Sequence, residues 1–147
     1  MLAAVKEVHI VVGVALIAAN LTAGVWGGVG WLRHRPSVGF WYALRVAQAT
    51  VVVQAGLGLI LVFLGHEAED LHYLYGALPL LVSFLAELTR VGAAQQELGE
   101  LDFKSLPEDR QRDVAEAIVR REMGIMAVAC LVILFLALRA VGTTPLI

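Results

Sequence analysis

Charge is scarce in this 147-residue chain. Only 16% of its residues are Asp, Glu, Lys or Arg, against about a quarter in an ordinary soluble domain. Hydrophobic residues make up 59%, and the mean hydropathy is +0.78. No charge stands between Glu7 and Arg33, a gap of 25 residues, or between Arg45 and Glu67, a gap of 21. Apolar stretches of that length read as membrane spans, which excludes a soluble enzyme and a disordered tail. A net charge of −2 and the lack of a basic arm exclude a nucleic-acid binder. With a single cysteine, Cys130, there is neither a disulfide framework nor a Cys-rich metal site. Cys130 lies in an apolar run, where a thiol behaves as a small buried hydrophobe. No Ser–His triad, phosphate-cradling loop, CxxC or HExxH is present, so hydrolase, kinase, thiol-exchange and metalloprotease chemistry have no residues to run on. The apolar stretch after Lys6 is longer than the roughly 7–15 residues of a signal-peptide core and is closed by no small-residue cleavage site. It is expected to stay as the first span.

What the chain does have is aliphatic bulk in four blocks. The expected architecture is an all-α, four-helix transmembrane bundle in one domain, with spans over about 7–32, 40–65, 71–91 and 117–141. The last two spans have only 16 charge-free residues each, Leu71–Ala86 and Met123–Leu138. Sixteen residues at about 1.5 Å each fall short of a bilayer core of about 30 Å. Glu87, Arg90, Glu122 and Arg139 must therefore reach the interface by snorkelling or pairing. The first connection, Arg33-His34-Arg35-Pro36-Ser37, is a tight turn, and the second, His66-Glu67-Ala68-Glu69-Asp70, is short and acidic. The third, 92–116, is a partly helical cytoplasmic connection. In it, Ser105-Leu-Pro-Glu108 has the spacing of a capping box that opens a helix running into the fourth span.

Basic residues near the span ends set the orientation. Arg33, Arg35, Arg90, Lys104, Arg110, Arg112, Arg120 and Arg121 share one side, and only Lys6 and Arg139 fall on the other. The positive-inside bias places both termini and the acidic connection outside the cytoplasm, in a prokaryotic inner membrane. Trp26, Trp31, Trp41 and Tyr42 then flank the cytoplasmic face as interfacial anchors.

Three of the four histidines, His9, His66 and His72, belong to the outer end. His9 and His72 open the parallel first and third spans in matching contexts, Val8-His9-Ile-Val-Val-Gly13 and Leu71-His72-Tyr-Leu-Tyr-Gly76. At the same offset of 63, Asn20 and Gly24 fall opposite Ser83 and Glu87, while bulky Leu16 and Pro79 interrupt the two stripes. Two imidazoles at one depth, each followed a turn later by glycine, suit axial ligation of a haem: each ring supplies a nitrogen, and each glycine removes a side chain that would strike the porphyrin.

On these two motifs the chain resembles the four-helix membrane b-type cytochromes, such as the cytochrome b561 group and haem A synthase, whose ligands come from alternate, parallel helices. The resemblance implies one haem b near the outer surface with His9 and His72 as ligands. No second histidine pair exists at the inner end, where His34 is alone. Gly13, Gly76 and Tyr75 would line the cofactor.

The expected function is electron transfer between an extracytoplasmic partner and membrane quinone. Arg45, Gln48, Gln54, Asn20, Glu87 and Arg90 are the candidates for quinone binding or proton movement in the inner half, and interhelical ion pairing is the structural alternative for the charged ones among them. Two other classes stand beside the cytochrome. One is a non-catalytic subunit that packs through its glycine stripes, including Gly24-Val-Trp-Gly-Gly28, against a larger respiratory or transport complex or a second copy. The other is a metal-binding or transport protein that uses His9, His66 and His72 with the carboxylates of the outer rim.

Overall fold

A computed structural model describes residues 1–143 of the chain. Its elements are α1 (Leu2–Leu32), α2 (Val38–Phe63), α3 (Asp70–Leu98), a short 3-10 turn (Phe103–Ser105) and α4 (Glu108–Gly142), with no strand among the described residues. All four α-helices are long and apolar enough to cross a membrane. The shortest, α2, has 26 residues and at 1.5 Å per residue measures about 39 Å, beyond the bilayer core of about 30 Å. The outward faces carry Val11, Phe63 and Phe135, 67–80% exposed, which suits lipid rather than water as the surrounding solvent. The described residues form an all-α helical bundle with the lengths and apolar faces of an integral membrane protein.

α3 and α4 overrun the expected spans. The connection between them shrinks from 92–116 to residues 99–107, because Gln95, Gln96, Glu97 and the charged run from Glu108 to Arg121 are helix formers and stay helical. Arg121 ties the two extensions together through Glu97 at 2.8 Å and Gln96 at 3.3 Å. The expected capping box does not form. Ser105 Oγ donates instead to the Asp102 carbonyl at 2.8 Å, and α4 starts after Pro107 with no side-chain cap. Glu108 and Asp109 in the first turn complement the helix dipole.

The other two connections end their helices in one way. After α1, His34 N–H reaches Trp31 O and Arg35 N–H reaches Gly30 O; after α2, Gly65 N–H reaches Val62 O and His66 N–H reaches Leu61 O. Both are Schellman ends, which require a left-handed residue. Gly65 fills that position at φ +78°, whereas after α1 it is held by His34 at φ +55°.

α4 is the most buried of the four helices. It packs broadly on α1 and α3, α1 also packs on α2, and α2 meets α3 only sparsely. The α1–α4 contact is made by small residues. Leu16, Asn20, Ala23, Gly24, Gly27 and Gly30 are the buried positions of α1. A Cβ on Gly24 would sit 2.7 Å from Leu131 Cδ2, and one on Gly27 would run into the Phe40 ring and stand 3.0 Å from Ala127 Cβ. Gly28 meets nothing within 4 Å, so the close-packing pair is Gly24 with Gly27, not Gly24 with Gly28. Leu16 and Pro79, which interrupt the sequence stripes, are themselves buried. The tryptophans expected as anchors are packed: Trp26 lies over Gly39, Trp31 over Gly124, and Trp41 meets Phe40 edge-on at 5.1 Å. Tyr42 is the most exposed of the four expected anchors, at 72%, against 45% for Trp26 and 36% for Trp31. Cys130 is buried, as expected of a thiol in an apolar run.

Candidate functional site: a histidine pair at one end of the bundle

α1 and α3 begin at the same end of the bundle, where α4 finishes, and this brings His9 and His72 together. Their ring centroids are 6.3 Å apart, with 57° between the planes. All four helices contribute to the pair. His72 Nδ1 donates to the Ala140 carbonyl of α4 at 3.1 Å. That carbonyl belongs to the last turn of α4 and also accepts from Thr143 N–H at 3.3 Å and from Thr143 Oγ at 2.7 Å. Because a carbonyl only accepts, the neutral His72 ring carries its proton on Nδ1, leaving the lone pair on Nε2. No described group donates to that Nε2.

His9 is held from α2. Gln54 Nε2 lies 3.1 Å from His9 Nε2, and the ring edge at Cε1 would lie 3.5 Å from a Cβ on Gly58. His9 Nδ1 and Gln54 Oε1 are both buried without a hydrogen-bond partner. A buried polar atom left unpaired costs about 1–3 kcal/mol, so a group able to satisfy His9 Nδ1 would be stabilised here.

The glycines that follow the two histidines differ. A Cβ on Gly13 would stand 3.1 Å from Gln54 Nε2, so the room beside Gly13 holds the Gln54 amide; beside Gly76 nothing lies within 4 Å. The 63-residue correspondence therefore places the histidines together but not the positions below them. Tyr75 lies under the Arg139 guanidinium, 5.8 Å from its ring centroid. Tyr73 secures the α2–α3 connection above the pair, its hydroxyl accepting from Ala68 N–H at 2.9 Å and donating to His66 O at 3.3 Å.

The cluster of His9, His66 and His72 with rim carboxylates is not assembled. Among the described residues no three His, Cys, Asp or Glu side chains come together as a metal site. A bare structural or catalytic ion wants three or four protein ligands; haem brings four nitrogens of its own and asks for two axial groups. An iron held between two imidazoles at about 2 Å from each nitrogen spaces the ring centroids by roughly 6 Å. The observed pair fits that spacing.

At the other end, the polar residues expected for the inner half bind one another. Glu87 Oε1 accepts from Arg45 at 2.9 Å and from Gln48 at 2.7 Å, and Glu87 Oε2 pairs with Arg90 at 2.8 Å. Arg90 continues to Glu122 of α4 at 3.3 Å and lies 5.8 Å from the Trp41 ring centroid. This network bridges α2, α3 and α4, and Glu87, Arg90 and Glu122 are partners in it. Asn20, 1% exposed, donates to Leu16 O at 2.9 Å within its own helix. Gln54, grouped by sequence with the inner residues, belongs instead with His9. Its partner lies 45 residues away in another helix, and no local spacing announces such a pair. No family model matches the chain, and no curated protein or solved structure is significantly similar to it.

Proposed function

We propose that the chain is a small membrane b-type cytochrome that carries one haem between His9 and His72. The observation that carries this reading is the 6.3 Å ring separation, with the His72 Nε2 lone pair without a partner and His9 Nδ1 buried and unpaired, free to ligate once the ring proton moves to Nε2. When bound, haem supplies a one-electron couple that none of these side chains possesses. His9 and His72 hold it from α1 and α3. The Ala140 carbonyl orients His72 and keeps its proton on Nδ1, the outer-shell arrangement usual for ligating histidines. Gly76 leaves the α3 wall open, and the sparse α2–α3 contact offers the seam along which a flat ring enters.

In this reading the arginine-rich end faces the cytoplasm, by the eight-to-two bias of basic residues, and the haem lies near the outer surface. Electrons pass between an extracytoplasmic partner and a quinone dissolved in the bilayer. The Glu87 network stabilises the inner half, since its hydrogen-bonding groups are taken up by one another. Of the glycine pair in the subunit reading, Gly24 is filled by Leu131 of the same chain, whereas Gly28 meets nothing within 4 Å.

Absorbance of the purified chain, expressed with ample haem, tests the proposal. The expected result is a Soret band that sharpens and shifts on dithionite reduction, lost in His9→Ala and His72→Ala and kept in His34→Ala. A colourless wild-type preparation overturns it.

A further inference from the structure

Gln54 meets three conditions that together go beyond holding a ring in place. It is the described residue that hydrogen-bonds to the His9 imidazole. Its amide lies beside Gly13, in the room a side chain there would take: a Cβ on Gly13 would stand 3.1 Å from Gln54 Nε2. It also leaves two complementary groups unsatisfied and buried, its own Oε1 and the ring's Nδ1. A primary amide has a donor end and an acceptor end on one carbon. With its NH2 toward His9 Nε2, as found, the neutral ring must carry its proton on Nδ1, and that nitrogen has no lone pair to offer. Half a turn of the amide presents Oε1 to Nε2 instead. The ring proton then resides on Nε2, donated to Oε1, and the Nδ1 lone pair is released.

We infer that Gln54 is the positioning residue of His9 and selects its tautomer, so that the ring is either closed to a metal or ready for one. The inference rests on the haem reading for its purpose but not for its test. His72 has no such freedom, because a backbone carbonyl accepts and never donates; the two rings are thus held by unlike devices, one fixed and one reversible. Once iron is bound, an acceptor on His9 Nε2–H also strengthens His9 as a donor, as outer-shell acceptors do. Gln54 therefore bears on the reduction potential as well as on ligand readiness.

The test uses the full chain in nanodiscs, labelled with 15N-histidine and free of haem, at a pH where the rings are neutral. His9 signals are assigned by their loss in His9→Ala. In the wild type, His9 is expected to give one locked tautomer with Nδ1 protonated. Gln54→Leu is expected to release it to an averaged mixture. Gln54→Glu, whose ionised carboxylate only accepts, is expected to lock the opposite tautomer, with Nε2 protonated. His72 shifts should stay unchanged throughout. In haem-loaded protein, Gln54→Glu should lower the midpoint potential relative to wild type and Gln54→Leu should raise it, with haem content retained. If Gln54→Leu does not accumulate, Gln54→Glu suffices, since a wild-type tautomer in that variant refutes the inference. Unchanged His9 shifts in both variants overturn it even if the wild type binds haem. A wild type that binds no haem but shows the expected tautomer changes overturns the cytochrome reading and leaves the role of Gln54 standing.

Discussion

Replacing Gly27 by alanine should separate packing from helix propensity at the tightest point of the bundle. The new Cβ would run into Phe40 Cε2, lie 2.8 Å from Phe40 Cδ2 and stand 3.0 Å from Ala127 Cβ. Phe40 is fully buried and held edge-on by Trp41, so its ring has no free direction. Restoring ordinary contact near 3.5–4 Å requires the ring or α4 to retreat by about 1 Å. Overpacking of this kind costs about 1–3 kcal/mol, while alanine in a helix gains about 1 kcal/mol over glycine. Gly28→Ala, one residue on, meets nothing within 4 Å and has only the gain. The difference between the two variants cancels the propensity contribution and isolates the packing cost, expected near 3 kcal/mol because one contact is far inside the usual limit. Gly24→Ala should fall between them, since its close contacts are to the Leu131 side chain, Cδ2 at 2.7 Å and Cγ at 2.9 Å, with the Leu131 backbone nitrogen at 3.4 Å. Reversible unfolding in mixed micelles of rising SDS fraction, followed by far-UV circular dichroism, measures the three. Equal midpoints for Gly27→Ala and Gly28→Ala would refute the packing of α1 on Phe40 and α4.

The same assay reads the other stability predictions. Glu87→Leu strips Arg45, Gln48 and Arg90 of their shared acceptor and should cost about 2–3 kcal/mol, whereas Arg45→Ala, whose side chain is 57% exposed, should cost under about 1 kcal/mol; a larger loss from Arg45→Ala contradicts the ranking. His34→Gly should stabilise by about 0.5–1 kcal/mol by relieving a left-handed non-glycine residue. Gly65→Ala should destabilise by about 1 kcal/mol for the converse reason, and a destabilising His34→Gly with a stabilising Gly65→Ala would show that these Schellman ends do not set the turns.

Much of the bundle is legible in the chain itself, because four long charge-poor blocks leave few other ways to satisfy backbone groups in lipid. The meeting of His9 and His72 is legible too: equal depth follows from parallel spans that start at the same end, and the shared His-x-x-x-Gly context marks both. What sequence spacing does not carry is helix rotation. Gly13 follows His9 as Gly76 follows His72, yet one faces Gln54 and the other open space, because α1 lies against α2 over a broad surface while α3 touches it sparsely. Leu16 looks like a break in a stripe of small residues, but the buried face of α1 runs Leu16, Asn20, Ala23, Gly24, Gly27, Gly30. Steps of three and four along that face were the readable signal, and bulk at Leu16 was no bar to burial where the neighbouring helices leave room. Gln54 was unreadable as a partner of His9 because the register between two helices decides which mid-span amide meets which ring.

The most direct measurement is electron paramagnetic resonance of the oxidised, haem-loaded wild type beside its pyridine haemochrome stoichiometry. One haem per chain with a low-spin signal typical of two imidazole ligands is the predicted result, giving way to a high-spin signal or to loss of haem in His72→Ala. A wild type that takes up no haem, or holds it high-spin and unaffected by His72→Ala, would contradict axial ligation by this histidine pair.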